Sequence, residues 1–269
     1  MSAGWDRTAW LVDERWVFGF PRRTVVVSGI ERELAWLPRL APLLPAPIPV
    51  PAFTGEPSDA FPWAYFGYEL LPGLEAAEVP DDVRVAVALD LAAFLRVLHS
   101  PELAVAIGAH ALPLDGNARA DMMQRVPRVR GQLRDLETAG LWWMPGVVRR
   151  LLDQAERLPP PAAPATVAHG DLHIRHALVH GGRLSGVIDW VDLCRSDPAI
   201  DLALYWMWLP VAGREAFLRA YGSVDEERLL RARVVALTLG SALALYAHDE
   251  GAALLKASAL DGLELTATS

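Results

Sequence analysis

Two aspartates lie on either side of a predicted β-hairpin in the second half of the chain. Asp171 belongs to the loop HGDLHIR, the apolar run HALVH follows, and the run LSGVID then ends at Asp189. Gly181-Gly182 separates the two runs, and short apolar segments that meet at a glycine turn are typical of a hairpin. Folding back at this turn brings both carboxylates toward one cleft. Any fold assigned to this chain must accommodate that pair.

Two carboxylates that face one cleft suit phosphoryl transfer to a hydroxyl group. One of them, Asp171, would accept the proton of the hydroxyl, and Asp189 would hold Mg²⁺ against the phosphates. The same loop also offers a different chemistry, because imidazole and carboxylate groups are good ligands for Zn²⁺. A zinc hydrolase would use as its ligands His169, Asp171, His173 and His176. Stoichiometric zinc in the purified protein is expected only for the hydrolase.

The two sides of Gly73 differ in predicted secondary structure. Before it, TAWLVD and RWVFGF predict a hairpin, IERELAWLPRL a short helix, and PWAYFGYELLPG another strand. After it, amphipathic segments predict helices, among them PDDVRVAVALDLAAFLRVLHS, residues 118–137 and residues 145–157. A small β-rich lobe followed by a larger, mostly helical one gives an α+β chain. A bilobal protein-kinase-like fold is one of several folds with this plan.

Composition excludes several classes of protein. With 269 residues, of which 52% are apolar, the chain is long enough to bury a large core. The single cysteine, Cys194, and an N-terminus without a signal-peptide pattern predict a cytoplasmic protein. The apolar stretch from Val234 to Ala247 is too short for a bilayer and predicts a buried helix. A net charge of −8 argues against nucleic-acid binding and favours cationic small molecules.

Several motifs occur in the order that one known family shows. VAHGDLHIRHALV, SGVIDWVDL and SDPAIDLALYW together resemble the signature region of the aminoglycoside/macrolide phosphotransferase family, within the kinase-like superfamily. The N-terminal half agrees, with GWDRTAWLVDERWVFGFPRR, ERELAWL, FPWAYFGYELLPG and AAFLRVLHS. The motifs are weak singly and specific in combination. The resemblance implies a bilobal protein-kinase-like fold that transfers the γ-phosphoryl group of ATP or GTP, with Mg²⁺, to a hydroxyl of an aminoglycoside or macrolide.

The resemblance also assigns residues to roles. Residues 1–72 would form the nucleotide-binding lobe, without the family's first strand, and residues 73–269 would form the lobe with the catalytic loop and acceptor site. Asp171 would be the catalytic base, His169 would brace its loop, and Asp201 would hold the loop in place. Asp189 and His176 would bind the metal. The nucleotide would contact Gly4, Trp5, Asp6 and Thr8 in the phosphate-covering loop, Arg22 and Glu33, and the hinge residues Tyr68, Glu69 and Leu71.

One departure from the family pattern concerns the metal site. His176 stands where the family usually has an asparagine that coordinates the metal. Mg²⁺ prefers oxygen ligands, and imidazole suits Mn, Zn or Fe better. In this position, and in the segments DPAIDLA and YAHDEGAALLKA, the chain resembles the macrolide 2′-phosphotransferases. The acceptor is therefore predicted to lean toward macrolides.

The second departure concerns the phosphate-binding cation. Gly19 in WVFGFPRR stands where the family places an arginine or lysine that pairs with Glu33. Arg22, Arg23 and Arg7 are the candidates to replace it. Without a replacement, the chain would be a nucleotide-binding pseudoenzyme or binding module that lacks efficient turnover.

The sequence constrains the identity of the acceptor and the oligomeric state less than it constrains the reaction. Asp192 and Asp249 could meet the ammonium group of a cationic acceptor. Arg175, in the catalytic loop, would stabilise the transferred phosphoryl group or lie at the surface. Four tryptophans could either form an apolar wall for a bulky acceptor or pack in the core: Trp142, Trp143, Trp206 and Trp208. We expect a monomer or weak homodimer that binds a small-molecule hydroxyl acceptor and neither nucleic acid nor membrane.

Overall fold

The computed structural model describes residues 2–3, 7–161 and 166–268. Its N-terminal part is an antiparallel five-stranded sheet with the strand order β1-β2-β3-β5-β4. The strands are β1 (Ser2–Ala3), β2 (Arg7–Val12), β3 (Trp16–Pro21), β4 (Phe53–Gly55) and β5 (Tyr65–Glu69). The β2–β3 hairpin pairs Arg7 with Pro21 and Val12 with Trp16, which confirms the predicted hairpin. The sequence predicted no strand before the glycine loop, whereas β1 pairs Ser2 with Ala9 over two residues.

The first helix, α1 (Val27–Leu40), lies against this sheet and extends the prediction of Ile30–Leu40 at its start. Its buried face carries Ile30, Leu37 and Leu40 at helical spacing. The same face also carries the carboxylate of Glu33, which is 1% exposed. A buried carboxylate requires a charged or hydrogen-bonding partner, so α1 brings a chemical group as well as apolar side chains to the sheet.

The C-terminal part is mostly helical. Its helices are α2 (Asp81–Leu98), α3 (Pro101–Ile107), α4 (Met122–Thr138), α5 (Gly146–Ala155), α6 (Ala203–Trp208), α7 (Val211–Tyr221), α8 (Glu226–Asp249) and α9 (Ala253–Ala267). The helices predicted at 118–137 and 145–157 correspond to α4 and α5. Helix α8 packs against α4, α6 and α9. It is the one described helix long and apolar enough to cross a membrane, but 56% of that window is buried inside the structure.

Small strands position the loops between the two parts. They are β6 (Leu74–Glu75), β7 (Thr166–Ala168), β8 (Ala177–His180), β9 (Arg183–Val187) and β10 (Cys194–Ser196). Strands β8 and β9 form the predicted hairpin, with Ala177 opposite Val187. The short apolar strand before the HGDLHIR loop, β7, pairs with β10 rather than with the hairpin. The loop after β7 and the chain after β9 therefore leave the core side by side.

Candidate active site

The imidazole of His169 connects the two loops that carry the aspartates. Its Nε2 is 2.9 Å from the carbonyl oxygen of Ile188, and its Nδ1 accepts the N–H of Asp171 at 3.2 Å. A carbonyl oxygen can only accept, so this network assigns the proton to Nε2. Burial lowers the pKa of His169, which keeps the ring neutral and preserves this tautomer. The predicted bracing role corresponds to these two contacts.

Asp201 anchors the start of the same loop. Its carboxylate accepts the N–H of His169 at 2.8 Å, the N–H of Gly170 at 3.0 Å and Nε2–H of His99 at 3.1 Å. Burial disfavours the charged carboxylate, but these donors outweigh it and lower the pKa of Asp201 below its usual value. His99 in turn contacts the hydroxyl of Tyr221 at 2.8 Å. The fully buried Asp201 thus supports the loop, as the sequence predicted.

Gly170 is required by the geometry at this point. Its φ is +93°, a conformation that L side chains rarely adopt. A Cβ built on Gly170 would lie 2.3 Å from the carbonyl oxygen of Asp192. The loop therefore passes the chain after β9 closely enough to exclude any side chain at this position.

His176 lies between the two predicted functional carboxylates. Its Nδ1 is 2.8 Å from the backbone oxygen of Asp171 and 4.0 Å from Oδ2 of the same residue. Its Nε2 is 3.5 Å from Oδ2 of Asp189. Asp189 has a φ of 63°, a left-handed conformation that aspartate tolerates better than most residues. The β8–β9 hairpin thus brings both carboxylates to one cleft.

The two carboxylates differ in acidity. Burial raises the pKa of Asp171 to about 6. At Asp189 burial acts in the same direction, but the nearby imidazole of His176 and guanidinium group of Arg7 outweigh it and lower the pKa. A group that titrates near neutrality suits a general base, and a permanently ionised carboxylate suits a metal ligand. The roles of Asp171 as base and Asp189 as metal ligand stay predictions, to which these two acidities are suited.

The donor set at this end of the cleft fits a divalent cation. Nδ1 of His176 is used by a backbone oxygen, so the lone pair of Nε2 faces the carboxylate of Asp189. A nitrogen and an oxygen acceptor that face each other at 3.5 Å are compatible with a shared cation such as Mg²⁺ or Mn²⁺. Asp189 and His176 are therefore the residues that would hold it.

The four-ligand zinc cage is not formed. Both ring nitrogens of His169 are hydrogen-bonded to the chain, as described above, which leaves Asp171, His173 and His176 as the grouped ligands. Nδ1 of His173 accepts the N–H of Arg175 at 3.2 Å. Its Nε2 then carries the proton and lies 3.6 Å from Oδ2 of Asp171. His169 is therefore not available to complete a four-ligand zinc site with these three residues.

Within the cleft lining, Glu33 forms an ion pair with Arg7 from β2. Its other oxygen accepts the N–H of Trp190 at 3.0 Å, next to Asp189, the predicted metal ligand. Burial disfavours the charge of Arg7, but the carboxylates of Glu33 and Asp189 outweigh it and raise its pKa above the usual value. Of the candidates to replace the cation missing at Gly19, Arg7 is the one paired with Glu33.

Of the other residues predicted to contact the nucleotide, some line the cleft and some do not. Tyr68 and Leu71 line the cleft, as do Arg175 and Arg23. Arg175 also pairs with Glu75 at 3.3 Å. Three predicted residues do not appear in the cleft lining: Thr8, the exposed Arg22, and Glu69, whose carboxylate pairs with Arg15 at 3.2 Å. Gly4, Trp5 and Asp6 lie outside the described residues.

One wall of the cleft is formed by α8. The cleft has a volume of about 650 Å³, within the range of small-molecule sites. Half-buried Leu239, Ala242, Leu243 and Tyr246 line it at helical spacing. Trp142 and Trp208 are buried in the core instead, and no tryptophan of the described residues lines the cleft. The apolar wall therefore exists, but leucines and a tyrosine of α8 form it.

The carboxylate of Asp192, expected to meet an acceptor's ammonium group, is already paired with Arg119. Arg119 also binds Asp115 at 2.6 Å. Asp249 is exposed and does not belong to the cleft lining. Sequence reasoning missed Arg119 because it precedes Asp192 by 73 residues and belongs to no recognised motif.

Comparison with known families agrees with this geometry. A model of the phosphotransferase enzyme family (APH) matches residues 1–234. The chain belongs to this family. It is therefore a phosphotransferase with an alcohol group as acceptor, a small-molecule kinase that uses a nucleotide as co-substrate. A search of curated proteins finds no match.

Solved structures show the same bilobal kinase-like fold. The GDP and kanamycin complex of APH(2″)-IIIa matches with a TM-score of 0.69 and 22% identity, covering 99% of this chain and 91% of that one. Macrolide 2′-phosphotransferase MphH from Brachybacterium faecium matches with a TM-score of 0.59 and 23% identity, and the match covers 92% of this chain and 84% of that one. Macrolide 2′-phosphotransferase type I matches with a TM-score of 0.55 and 26% identity, and the match covers 97% of this chain and 88% of that one. The predicted fold class is confirmed.

Proposed function

We propose that this phosphotransferase transfers the γ-phosphoryl group of ATP or GTP, with Mg²⁺, to a hydroxyl of an antibiotic-like acceptor with an extended apolar surface. The observation that supports the reaction is the placement of Asp171 and Asp189 in one cleft with His176 between them. Their separated acidities suit one base and one metal ligand. The same cleft contains an ion-paired arginine on its nucleotide side and an apolar helix face on the other.

The reaction follows from these groups. Asp171 takes the proton of the acceptor hydroxyl as the acceptor oxygen forms its bond to the γ-phosphorus. The bond between the γ-phosphorus and the β–γ bridging oxygen breaks, and the nucleoside diphosphate leaves. Held by Asp189 and His176, Mg²⁺ would neutralise charge on the phosphates. Arg175 lines the cleft beside the base and can offset charge on the transferred group.

The acceptor class is inferred from charge and polarity. Among the described residues, the lining carboxylates of Glu33, Glu75 and Asp192 are each paired with an arginine. The other two, Asp171 and Asp189, belong to the reaction centre. A polycationic acceptor such as an aminoglycoside would need free carboxylates, whereas the apolar face of α8 suits a bulky lactone-type ring. The cleft thus favours a macrolide over an aminoglycoside.

A turnover assay tests the proposal. Wild-type protein is incubated with Mg²⁺, ATP or GTP, and a panel of macrolides, aminoglycosides and simple amino alcohols, with phosphorylated product as the readout. Loss of the general base in Asp171→Asn should lower turnover about 10²–10⁴-fold while nucleotide binding persists. Equal inactivity of wild type and Asp171→Asn across the panel would instead support a nucleotide-binding module.

A further inference from the structure

The backbone register of the β2–β3 hairpin places Arg7 on the same face of the sheet as Gly19. Ala9 is the direct partner of Gly19, and Arg7 precedes Ala9 by two residues. Side chains two apart on a strand point to the same face, so Arg7 is a diagonal neighbour of Gly19. Arg7, Ala9 and Gly19 all line the cleft. A cation from β2 can therefore occupy the space in which β3 offers none.

The absence of a side chain at Gly19 gives this arginine its room. A Cβ built on Gly19 would lie 3.7 Å from Cδ and 3.9 Å from Nη1 of Arg7. Those are contact distances for the Cβ alone, so a longer side chain at position 19 would compete with Arg7 for the same space. The small glycine on β3 leaves space for the arginine on β2. The positive charge is therefore carried by β2 instead of β3.

The contacts of Arg7 leave part of its guanidinium group without a partner. One Nη atom pairs with Glu33, and the guanidinium carbon lies 5.9 Å from the centre of the Phe66 ring. Nε is buried and has no hydrogen-bond partner among the described residues. A buried N–H without an acceptor is costly, and an anionic ligand in the cleft would satisfy it.

We propose that Arg7 of β2 is the cation that binds the α- and β-phosphates of the nucleotide, in place of the side chain that Gly19 lacks. This inference rests on the proposed function, because it requires a nucleotide in the cleft. Glu33 then orients Arg7 and connects it, through the N–H of Trp190, to the segment that carries Asp189. The phosphate clamp and the metal ligand are thereby held by one carboxylate.

The competing explanation is that Arg7 only neutralises the buried Glu33. The two roles differ in what they predict for nucleosides, which carry no phosphate. If Arg7 binds phosphate, its loss weakens binding of Mg²⁺ with a nonhydrolysable ATP or GTP analogue but not binding of adenosine or guanosine. If it only neutralises Glu33, both ligands are affected alike, and the loss is repaired when Glu33 is neutralised.

Calorimetric titrations of single variants provide the first test. Arg7→Ala should weaken binding of the triphosphate analogue about 10- to 100-fold, as expected for a charge-assisted hydrogen bond, and change nucleoside binding less than about twofold. Arg7→Gln keeps a donor to Glu33 without the charge and should show the same selective loss even where Arg7→Ala folds poorly. Arg39→Ala removes an exposed arginine from α1 as a control of equal charge and should bind like wild type.

Two double variants complete the test. Arg7→Ala with Gly19→Arg returns a cation to the strand where the family usually has it, and it should recover most of the lost triphosphate affinity. Arg7→Ala with Glu33→Gln should recover none. Unchanged triphosphate binding in Arg7→Ala, or recovery in the Glu33→Gln double variant, would overturn the role of Arg7 and leave the proposed function intact. A wild-type protein that binds neither Mg-ATP nor Mg-GTP would overturn the proposed function itself.

Discussion

Nε2 of His176 and Oδ2 of Asp189 lie 3.5 Å apart, and both are directed into the cleft that also contains Asp171. The backbone oxygen of Asp171 fixes the His176 ring by accepting Nδ1–H. The imidazole lone pair therefore faces the carboxylate, and the two groups would hold one cation together. This arrangement explains how histidine can stand in a position where the family usually has an asparagine.

The first prediction concerns metal preference. Because imidazole nitrogen favours Mn²⁺ over Mg²⁺ more than an amide oxygen does, His176→Asn should shift the enzyme toward Mg²⁺. The ratio of kcat/KM with Mn²⁺ to that with Mg²⁺ should fall about tenfold, because an amide oxygen replaces the imidazole nitrogen that favours Mn²⁺. An unchanged ratio would show that His176 does not contact the metal.

Asp189→Asn tests the other metal ligand without disturbing the backbone. Asparagine tolerates the left-handed φ of 63° at this position, whereas alanine would add strain. We expect the variant to fold normally and to lose the dependence of nucleotide binding on Mg²⁺. Titration of the nucleotide with Mg²⁺ and with EDTA measures this directly, and wild-type affinity in Mg²⁺ would contradict the metal role of Asp189.

The fold and the approach of Asp171 and Asp189 to one cleft were predictable because their signals are local in the sequence. A glycine turn between two apolar runs specifies the β8–β9 hairpin, and that hairpin alone brings Asp171 and Asp189 together. The Arg7–Glu33 and Arg119–Asp192 pairs were not predictable. Each joins residues distant in sequence, and each depends on side-chain reach across a surface that only packing defines. The pairing of β7 with β10 has the same non-local character.

The pH dependence of turnover should report Asp171. Burial raises its pKa to about 6, and the base must be ionised to accept the hydroxyl proton. As pH falls through this value the protonated fraction grows, so kcat/KM should decline about tenfold per pH unit below pH 6. Initial rates between pH 4.5 and 8 measure the profile. A plateau that extends to pH 4.5 would exclude Asp171 as the titrating base.

As pH rises, the wild-type protein should become less stable relative to Asp171→Asn, whereas wild-type activity should increase. The folded pKa is raised, so the folded state binds a proton more tightly than the unfolded state between the two pKa values. Ionised Asp171 therefore destabilises the fold above pH 6, and the effect vanishes as pH falls toward 4. The variant should have a higher Tm than wild type at pH 7.5, with a smaller difference at pH 4.5.

Asp201 is expected to be structural support for the loop rather than a reacting group. Asp201→Ala leaves the N–H groups of His169 and Gly170 without an acceptor, which costs about 1–3 kcal/mol for each buried group. Thermal or urea unfolding should show this loss. Exposed Asp249→Ala is the matched control and should change stability by less than about 0.5 kcal/mol. A fully stable Asp201→Ala protein would contradict the anchoring role.

A substitution on the face of α8 that lines the cleft tests the acceptor class, because it should change KM in opposite directions for apolar and polycationic acceptors. Leu243 is half-buried in that face, and replacing it with glutamate removes apolar contact and adds a negative charge. For an acceptor with an apolar body, KM should rise about tenfold or more, because a buried leucine contributes about 1.5–3 kcal/mol. For a polycationic acceptor, KM should fall instead.

Two controls make the result specific. Leu254→Glu places the same change on an exposed leucine of α9, which is 58% exposed, and should leave the acceptor KM unaltered. Nucleotide affinity should be the same in both variants if α8 contacts the acceptor alone, so it is measured beside the acceptor KM. A fall in KM for aminoglycosides in Leu243→Glu, with no loss for macrolides, would refute the apolar-acceptor assignment while leaving the kinase reaction in place.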